Sequence, residues 1–191
     1  MLIRIVSGTL GGRRCSVPTA GVRPTSEKVR AAFFDALASL INFSEATFID
    51  LFAGSGAMAF EAFSRGFSSV IAIEKDAKTL KIINENKTKL LPHSPSNFLL
   101  LRGDSTSTIL QKIMPKTSTT VVFMDPPYMM ADKVIDKIFP RLIHNNIVKK
   151  HDIIVVESDK KWETQTNSQP FQTKKYGDTL LSWFRGEQLN G

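Results

Sequence analysis

The residues best suited to chemistry are Asp125-Pro126-Pro127-Tyr128, which directly follow the apolar run Val121-Val122-Phe123-Met124. Two consecutive prolines fix φ and remove two backbone N–H donors, giving a stiff turn whose carbonyls point outward. A carboxylate next to such a carbonyl provides two acceptors at fixed positions. The exocyclic amine of a nucleobase offers two N–H donors, and its lone pair is delocalised into the ring. If the Asp125 carboxylate and the Pro126 carbonyl each accept one of those hydrogen bonds, a pyramidal nitrogen is favoured. Its lone pair is then free for in-line attack on a sulfonium methyl group. Tyr128 can stack on a base drawn out of its helix or loop. This chemistry requires no metal and no covalent intermediate, and His93, His144 and His151 lack the spacing of metal ligands.

A second constellation lies upstream, in Asp50-Leu51-Phe52-Ala53-Gly54-Ser55-Gly56-Ala57-Met58-Ala59. Gly54 permits a sharp turn after a strand, and Gly56 is expected to let the backbone approach a ligand closely. The spacing G-x-G-x-x-A also fits a dinucleotide-binding fingerprint, so the loop alone leaves a nicotinamide or flavin enzyme open. Glu74 follows Gly56 by 18 residues, where an acid can accept hydrogen bonds from both ribose hydroxyls of a nucleoside. Asp50 tips the balance. Its negative charge sits badly beside a pyrophosphate and well beside a cationic sulfonium and amino group. Asp104, just beyond the next apolar run, can accept from an adenine amino group, although Gly103-Asp104-Ser105 also fits a turn and helix cap.

These residues need a scaffold that brings them to one edge. Short apolar runs at 46–51, 69–73, 97–101, 120–124 and 152–156 alternate with helix-compatible stretches near 57–65, 76–91, 106–114 and 131–144. Such alternation predicts βαβ crossovers and a mostly parallel sheet with helices on both faces, an α/β fold. Residues 171–176 and 179–185, joined at Gly177-Asp178, predict a closing antiparallel hairpin. The polar stretch 158–170 reads as the most mobile loop. At the N-terminus, 2–6 and 13–17 alternate around Gly8 and Gly11-Gly12 as a β-hairpin. Pro24 biases Arg23 to an extended conformation, and Thr25 can cap a helix with an apolar stripe of Val29, Phe33, Ala36, Leu37 and Leu40. Lys28 and Arg30 fall largely outside that stripe, free to face a ligand or solvent. The expected organisation is a basic hairpin-and-helix extension over 1–42 and a main domain over 43–191, forming one compact unit.

The composition, 42% hydrophobic and 23% charged over 191 residues, is that of one soluble globular domain. No apolar run approaches a bilayer span and the N-terminus lacks a signal-peptide pattern, so a cytoplasmic location is expected. The one cysteine, Cys15, cannot form an internal disulfide and reads as a strand residue. Net charge is +7, and residues 1–30 carry six basic side chains (Arg4, Arg13, Arg14, Arg23, Lys28, Arg30) against Glu27. The remaining residues hold 19 basic and 17 acidic side chains. A basic segment on a nearly neutral body points to a nucleic-acid backbone, because each phosphate neutralised releases counterions.

Arg23-Pro24-Thr25 with Val29-Arg30, Asp50 to Gly56, Glu74, Asp125 to Tyr128 and Tyr176-Gly177 occur in the order seen in the bacterial RsmD family, which the sequence resembles along nearly its whole length. Members of that family are guanine-N2 methyltransferases of 16S ribosomal RNA. The resemblance implies a Rossmann-like seven-stranded methyltransferase sheet and S-adenosylmethionine as methyl donor, leaving S-adenosylhomocysteine. It further implies a guanine presented on a partly assembled small subunit, and a monomer is expected. It assigns Asp50, Gly54 and Gly56 to the methionine end of the cofactor, Glu74 to the ribose, Asp104 to the adenine, and Asp125 to Tyr128 to the reaction. Phe52, Lys75 and Thr25 are grouped with the cofactor site. Three alternatives stay open: an adenine-N6 methyltransferase on DNA or RNA, which the proline motif serves equally well; an NAD-dependent oxidoreductase; and a non-catalytic RNA-binding assembly factor.

Overall fold

Strand β3 (Ala46–Asp50) is buried along its whole length, and its side chains alternate between two apolar layers. Phe48 joins the layer beneath the N-terminal helices, and Ile49 joins the opposite one. Strand β6 (Thr119–Met124) divides in the same way, with Val121 and Phe123 on one face and Val122 and Met124 on the other. This period-two division explains why the strands read as unbroken apolar runs: both faces are covered.

The computed structural model describes residues 1–18, 24–127, 131–159 and 168–189, with 131–133 as backbone only. Arg23, Tyr128 and most of the polar 158–170 stretch therefore lie outside the described residues. Beside β3 and β6 run β4 (Ser69–Glu74), β5 (Phe98–Arg102), β7 (Ile153–Asp159), β8 (Gln172–Tyr176) and β9 (Thr179–Arg185). The seven strands lie in the order β5-β4-β3-β6-β7-β9-β8. The first five are mutually parallel, and β9 is antiparallel to both its neighbours. A separate hairpin is formed by β1 (Leu2–Arg4) and β2 (Arg14–Ser16).

Helix α1 (Glu27–Ala38) starts at Ser26, whose hydroxyl accepts from the Val29 amide. Thr25, the expected cap, instead donates its hydroxyl to the Glu157 carboxylate at 2.7 Å. Phe33 on α1 stacks on Trp183 at 5.4 Å and meets Phe123 edge-on at 5.3 Å. That aromatic contact fixes the helix across the sheet and holds its N-terminus over the carboxyl ends of the strands. Helices α2 (Ala57–Ser64) and α3 (Ala77–Leu90) follow β3 and β4, and α4 (Ala131–His144) follows β6. The stretch 106–114, expected as a helix, forms only a 3-10 turn at Thr108–Lys112. The Asp104 carboxylate there accepts from both the amide and the hydroxyl of Thr106, and such local bonds compete with helix formation.

The N-terminal hairpin shares the main core: Ile5, Leu10 and Cys15 pack in the same layer as Phe48 and Phe60. Its polar anchor is Glu61, which is fully buried on α2. The Glu61 carboxylate accepts from the amides of Val6 and Ser7 at 2.7 and 3.0 Å and from Arg65 at 2.8 Å. One turn later, the Ser64 carbonyl and hydroxyl accept from the amides of Thr9 and Leu10. The chain passes so close that a Cβ on Gly8, which has a φ of +80°, would collide with the Ser64 carbonyl oxygen. Asn86 on α3 closes both backbone groups of Ser16. Glu61→Ala is expected to cost about 3 kcal/mol, because it strands two amides and the Arg65 guanidinium near the interior. A urea midpoint equal to wild type would show that the hairpin does not depend on this anchor.

Candidate active site

Four acids stand at the ends of four adjacent parallel strands: Glu74 on β4, Asp50 on β3, Asp125 just after β6 and Glu157 near the end of β7. Backbone register brings them together. Met124 pairs with Val156, so Asp125 follows directly beside Glu157, and Asp50 pairs with Phe123 two residues before Asp125. This is the carboxyl edge of an open α/β sheet, where ligands bind.

The glycine loop is braced from several sides. The Ala53 amide donates to the Ile73 carbonyl at 2.9 Å, and the Leu51 amide donates to the Phe123 carbonyl at 3.0 Å. The Gly54 amide donates to Glu74 Oε2 at 2.9 Å, while Glu74 Oε1 accepts from the Asp76 amide at 2.8 Å. Glu74 is thus oriented by the loop it faces, and each of its oxygens retains a second lone pair for a ribose hydroxyl. Gly54 and Gly56 both adopt positive φ, +51° and +76°. The reason expected for Gly56 needs correction. A Cβ there would press on Phe60 and Ile83 at 2.9 and 3.1 Å, so glycine serves the turn and the packing of α2, not access for a ligand.

Asp50 is 1% exposed, and its Oδ1 accepts from the Phe52 amide at 3.3 Å. Burial pushes its pKa up to about 7, opposed by that hydrogen bond and reinforced by the charges of Glu74 and Glu157. A buried acid with negative neighbours is a seat for a cation. Asp50, Phe52, Ala53, Gly54, Pro24, Thr25 and Asp125 line one narrow cleft. Its acceptors suit the amino and sulfonium groups of S-adenosylmethionine, and Glu74, bonded to the Gly54 amide, borders the loop where a ribose would lie. The residues therefore fit that cofactor.

The remaining expected site residues are placed less centrally. Asp104 is exposed, and its carboxyl is held below the usual range by the Thr106 hydroxyl and amide. Lys75 is exposed beside Glu74. Pro126 is buried, Pro127 is exposed and Asp125 lies between these extremes. Two residues missed at the sequence level hold the Asp104 loop. The buried Ser105 hydroxyl donates to the Leu51 carbonyl at 2.5 Å, and Arg141 on α4 donates to the carbonyls of Thr106 and Ser107. Nothing in the local pattern marks them, because their partners lie more than 30 residues away.

Of the basic residues assigned to RNA, Arg13, Arg14 and Lys28 are exposed. Arg4 is exposed but paired with Glu27 at 3.0 Å. Arg30 is a correction. It is 1% exposed and donates to the Thr25 and Arg4 carbonyls at 2.5 and 2.6 Å, so it ties the hairpin to the segment before α1 and cannot reach a phosphate.

The fold and this site define an S-adenosylmethionine-dependent methyltransferase. A solved structure of a putative methyltransferase from Escherichia coli, yhhF, superposes with a TM-score of 0.76 at 28% identity, covering 97% of this chain and 98% of that one. The family described as Conserved hypothetical protein 95 matches residues 3–185. Ribosomal RNA small subunit methyltransferase D of Escherichia coli strain K12 is 32% identical over 158 residues, 82% of this chain and 75% of that protein. Putative rRNA methyltransferase YlbH of Bacillus subtilis is 29% identical over 189 residues, covering 96% and 98%. The chain belongs to the RsmD family.

Proposed function

We propose that this methyltransferase modifies the exocyclic N2 amine of a guanine in 16S ribosomal RNA, acting as a cytoplasmic monomer on an assembling small subunit. The observation that carries this reading is the position of Asp125: it lines the same cleft as Asp50, so an amine held at the proline turn lies beside the cofactor's methionine end. The names of the relatives support ribosomal RNA as the substrate class. When bound, S-adenosylmethionine supplies an electrophilic methyl group. Asp125 and the Pro126 carbonyl orient the amine and accept its N–H bonds, and Asp125 is positioned to take the proton that the methylated nitrogen must lose. Asp50 holds the cationic end of the cofactor, with Phe52, Gly54 and Thr25 around it, and Glu74 and Lys75 flank its ribose. Asp104 receives the adenine, and Tyr128 stacks on the base.

Arg13, Arg14 and Lys28 engage the phosphate backbone, with Arg4 at the margin of that surface, and the sequence adds Arg23 to this basic set. Replacing both Arg13 and Arg14 with Glu should weaken RNA binding at low salt and reduce the slope of log K against log salt by roughly two, about one for each phosphate no longer neutralised. An unchanged slope would move the RNA surface away from the hairpin. The reading as a whole is tested by transfer of labelled methyl groups from S-adenosylmethionine to unmodified small subunits, against duplex DNA as the control. Label in DNA alone would favour the adenine-N6 alternative. Titration should also show S-adenosylhomocysteine binding and no comparable NAD binding; the reverse would favour an oxidoreductase.

A further inference from the structure

A second cavity, of about 140 Å³, adjoins the cofactor cleft and shares Pro24 and Thr25 with it. It is lined by Ser26 and Val29 from the start of α1 and by Glu157, Tyr176, Asp178 and Thr179 from the sheet. The topology explains the position. Asp159 pairs with Thr179 and Tyr176 pairs with Thr179, so the β8–β9 turn stands beside the end of β7. On the other side, the Met124–Val156 register sets Glu157 next to Asp125. The cavity and the cofactor cleft therefore adjoin, with Glu157 lining the one and Asp125 the other from neighbouring strands.

Among the described residues its lining carries two carboxylates, Glu157 and Asp178. A carboxylate accepts hydrogen bonds and donates none, so Glu157 matches a guest that presents N–H donors. Glu157 is 4% exposed, and the Thr25 hydroxyl donates to its Oε2 at 2.7 Å, which fixes the carboxylate's orientation. The two amine-bearing purines differ at the atom next to their reactive amine. Guanine carries N1–H beside N2, two donors in a row, whereas adenine carries a bare N1 lone pair beside N6. A carboxylate adjoining the amine-binding turn accepts from the first and repels the second.

We infer that this cavity holds the extracted base and that Glu157 is a specificity-determining residue, accepting the N1–H of guanine while Asp125 and the Pro126 carbonyl hold its N2 amine. This inference rests on the function proposed above and supplies the choice that the proline turn leaves open. A buried acceptor matched to a donor rejects the analogue lacking that donor, because its own hydrogen bond to the base goes unmade. Flipped bases are commonly read along this edge.

The test uses 2-aminopurine, which keeps the N2 amine but bears a lone pair at N1. Small subunits are reconstituted with RNA carrying guanine or 2-aminopurine at the mapped acceptor position, and kcat/KM is measured for each with the full chain. Wild type should prefer guanine by on the order of 100-fold, the loss associated with a charged hydrogen bond. Glu157→Gln keeps an oxygen for Thr25 and can offer an amide N–H to N1. It should shrink the preference at least tenfold while S-adenosylhomocysteine still binds. Because a ratio within one variant is read, partial loss of folded protein does not alter it. Equal use of both bases by wild type, or an unchanged ratio in Glu157→Gln, would overturn the role of Glu157 while leaving guanine methylation standing. No transfer to any guanine by wild type would overturn the functional reading and this inference together.

Discussion

Asp125→Ala is expected to slow methyl transfer by on the order of 10³-fold, in line with the loss of a group that acts on the reacting atoms, while S-adenosylhomocysteine binds nearly as in wild type. The separation follows from the architecture. Asp125 borders the cofactor cleft, but Asp50 is the buried acid within it, and the glycine loop is braced through Ile73, Phe123 and Glu74. Removing the carboxylate takes one acceptor from the amine and leaves the cofactor's holders in place. Asp125→Asn retains an acceptor oxygen and should recover part of the rate. Single-turnover methylation with saturating cofactor measures the loss, and calorimetry measures the affinity. Retained turnover in Asp125→Ala would remove Asp125 from the reaction.

The second large effect concerns Asp50 and pH. Its folded-state pKa is raised from 3.8 to about 7, so between these values the ligand-free protein holds a proton that the unfolded chain has released. Stability from this group is therefore present at low pH and lost as pH rises through that window, amounting to on the order of 4 kcal/mol above pH 7. Asp50→Asn should make the ligand-free protein more stable than wild type at pH 8 and remove this part of the slope. Ligand binding runs the other way. The ammonium group of S-adenosylhomocysteine favours the charged carboxylate, so wild-type affinity should rise with pH towards 7 and level off above it. In Asp50→Asn the affinity should be lower at pH 8, by about 10- to 100-fold as for a charged hydrogen bond, and nearly flat with pH. A flat wild-type profile would mean that Asp50 does not meet the cationic end.

The same residues show what can and cannot be read from a sequence. The central strands were legible because each is an apolar run covered on both faces, and the C-terminal hairpin because Gly177 stands at a positive φ of 61° in the turn where glycine was expected. The acids at the strand ends were legible as candidates because a strand's carboxyl end is a fixed place in the fold. Their grouping into one row depended on register, which no local pattern carries. Arg30 misled because its helical spacing placed it outside the apolar stripe. Its burial comes from the hairpin folding back over α1, a contact between residues 26 apart. Glu61 gave no warning at all: an acid in the helix Ala57–Ser64 looks like a solvent-facing position until the amides of Val6 and Ser7 arrive beside it. Gly56 is a required glycine because of its positive φ and its packing on Phe60 and Ile83, and a turn that needs glycine for packing and one that needs it for a ligand share a single spelling. Glu157 stood at a recognisable strand end, yet its place in a cavity depended on the antiparallel insertion of β9 beside β7 and on Thr25 from the far end of the chain.

The most direct measurement is the identity of the modified nucleoside. Unmodified small subunits are incubated with the protein and S-adenosylmethionine, the RNA is digested to nucleosides, and the products are resolved by mass spectrometry against standards. The predicted result is N2-methylguanosine in the small-subunit RNA, absent when Asp125→Ala replaces the wild type. N6-methyladenosine in its place, or no methylated nucleoside from a protein that binds S-adenosylhomocysteine, would contradict guanine-N2 methylation.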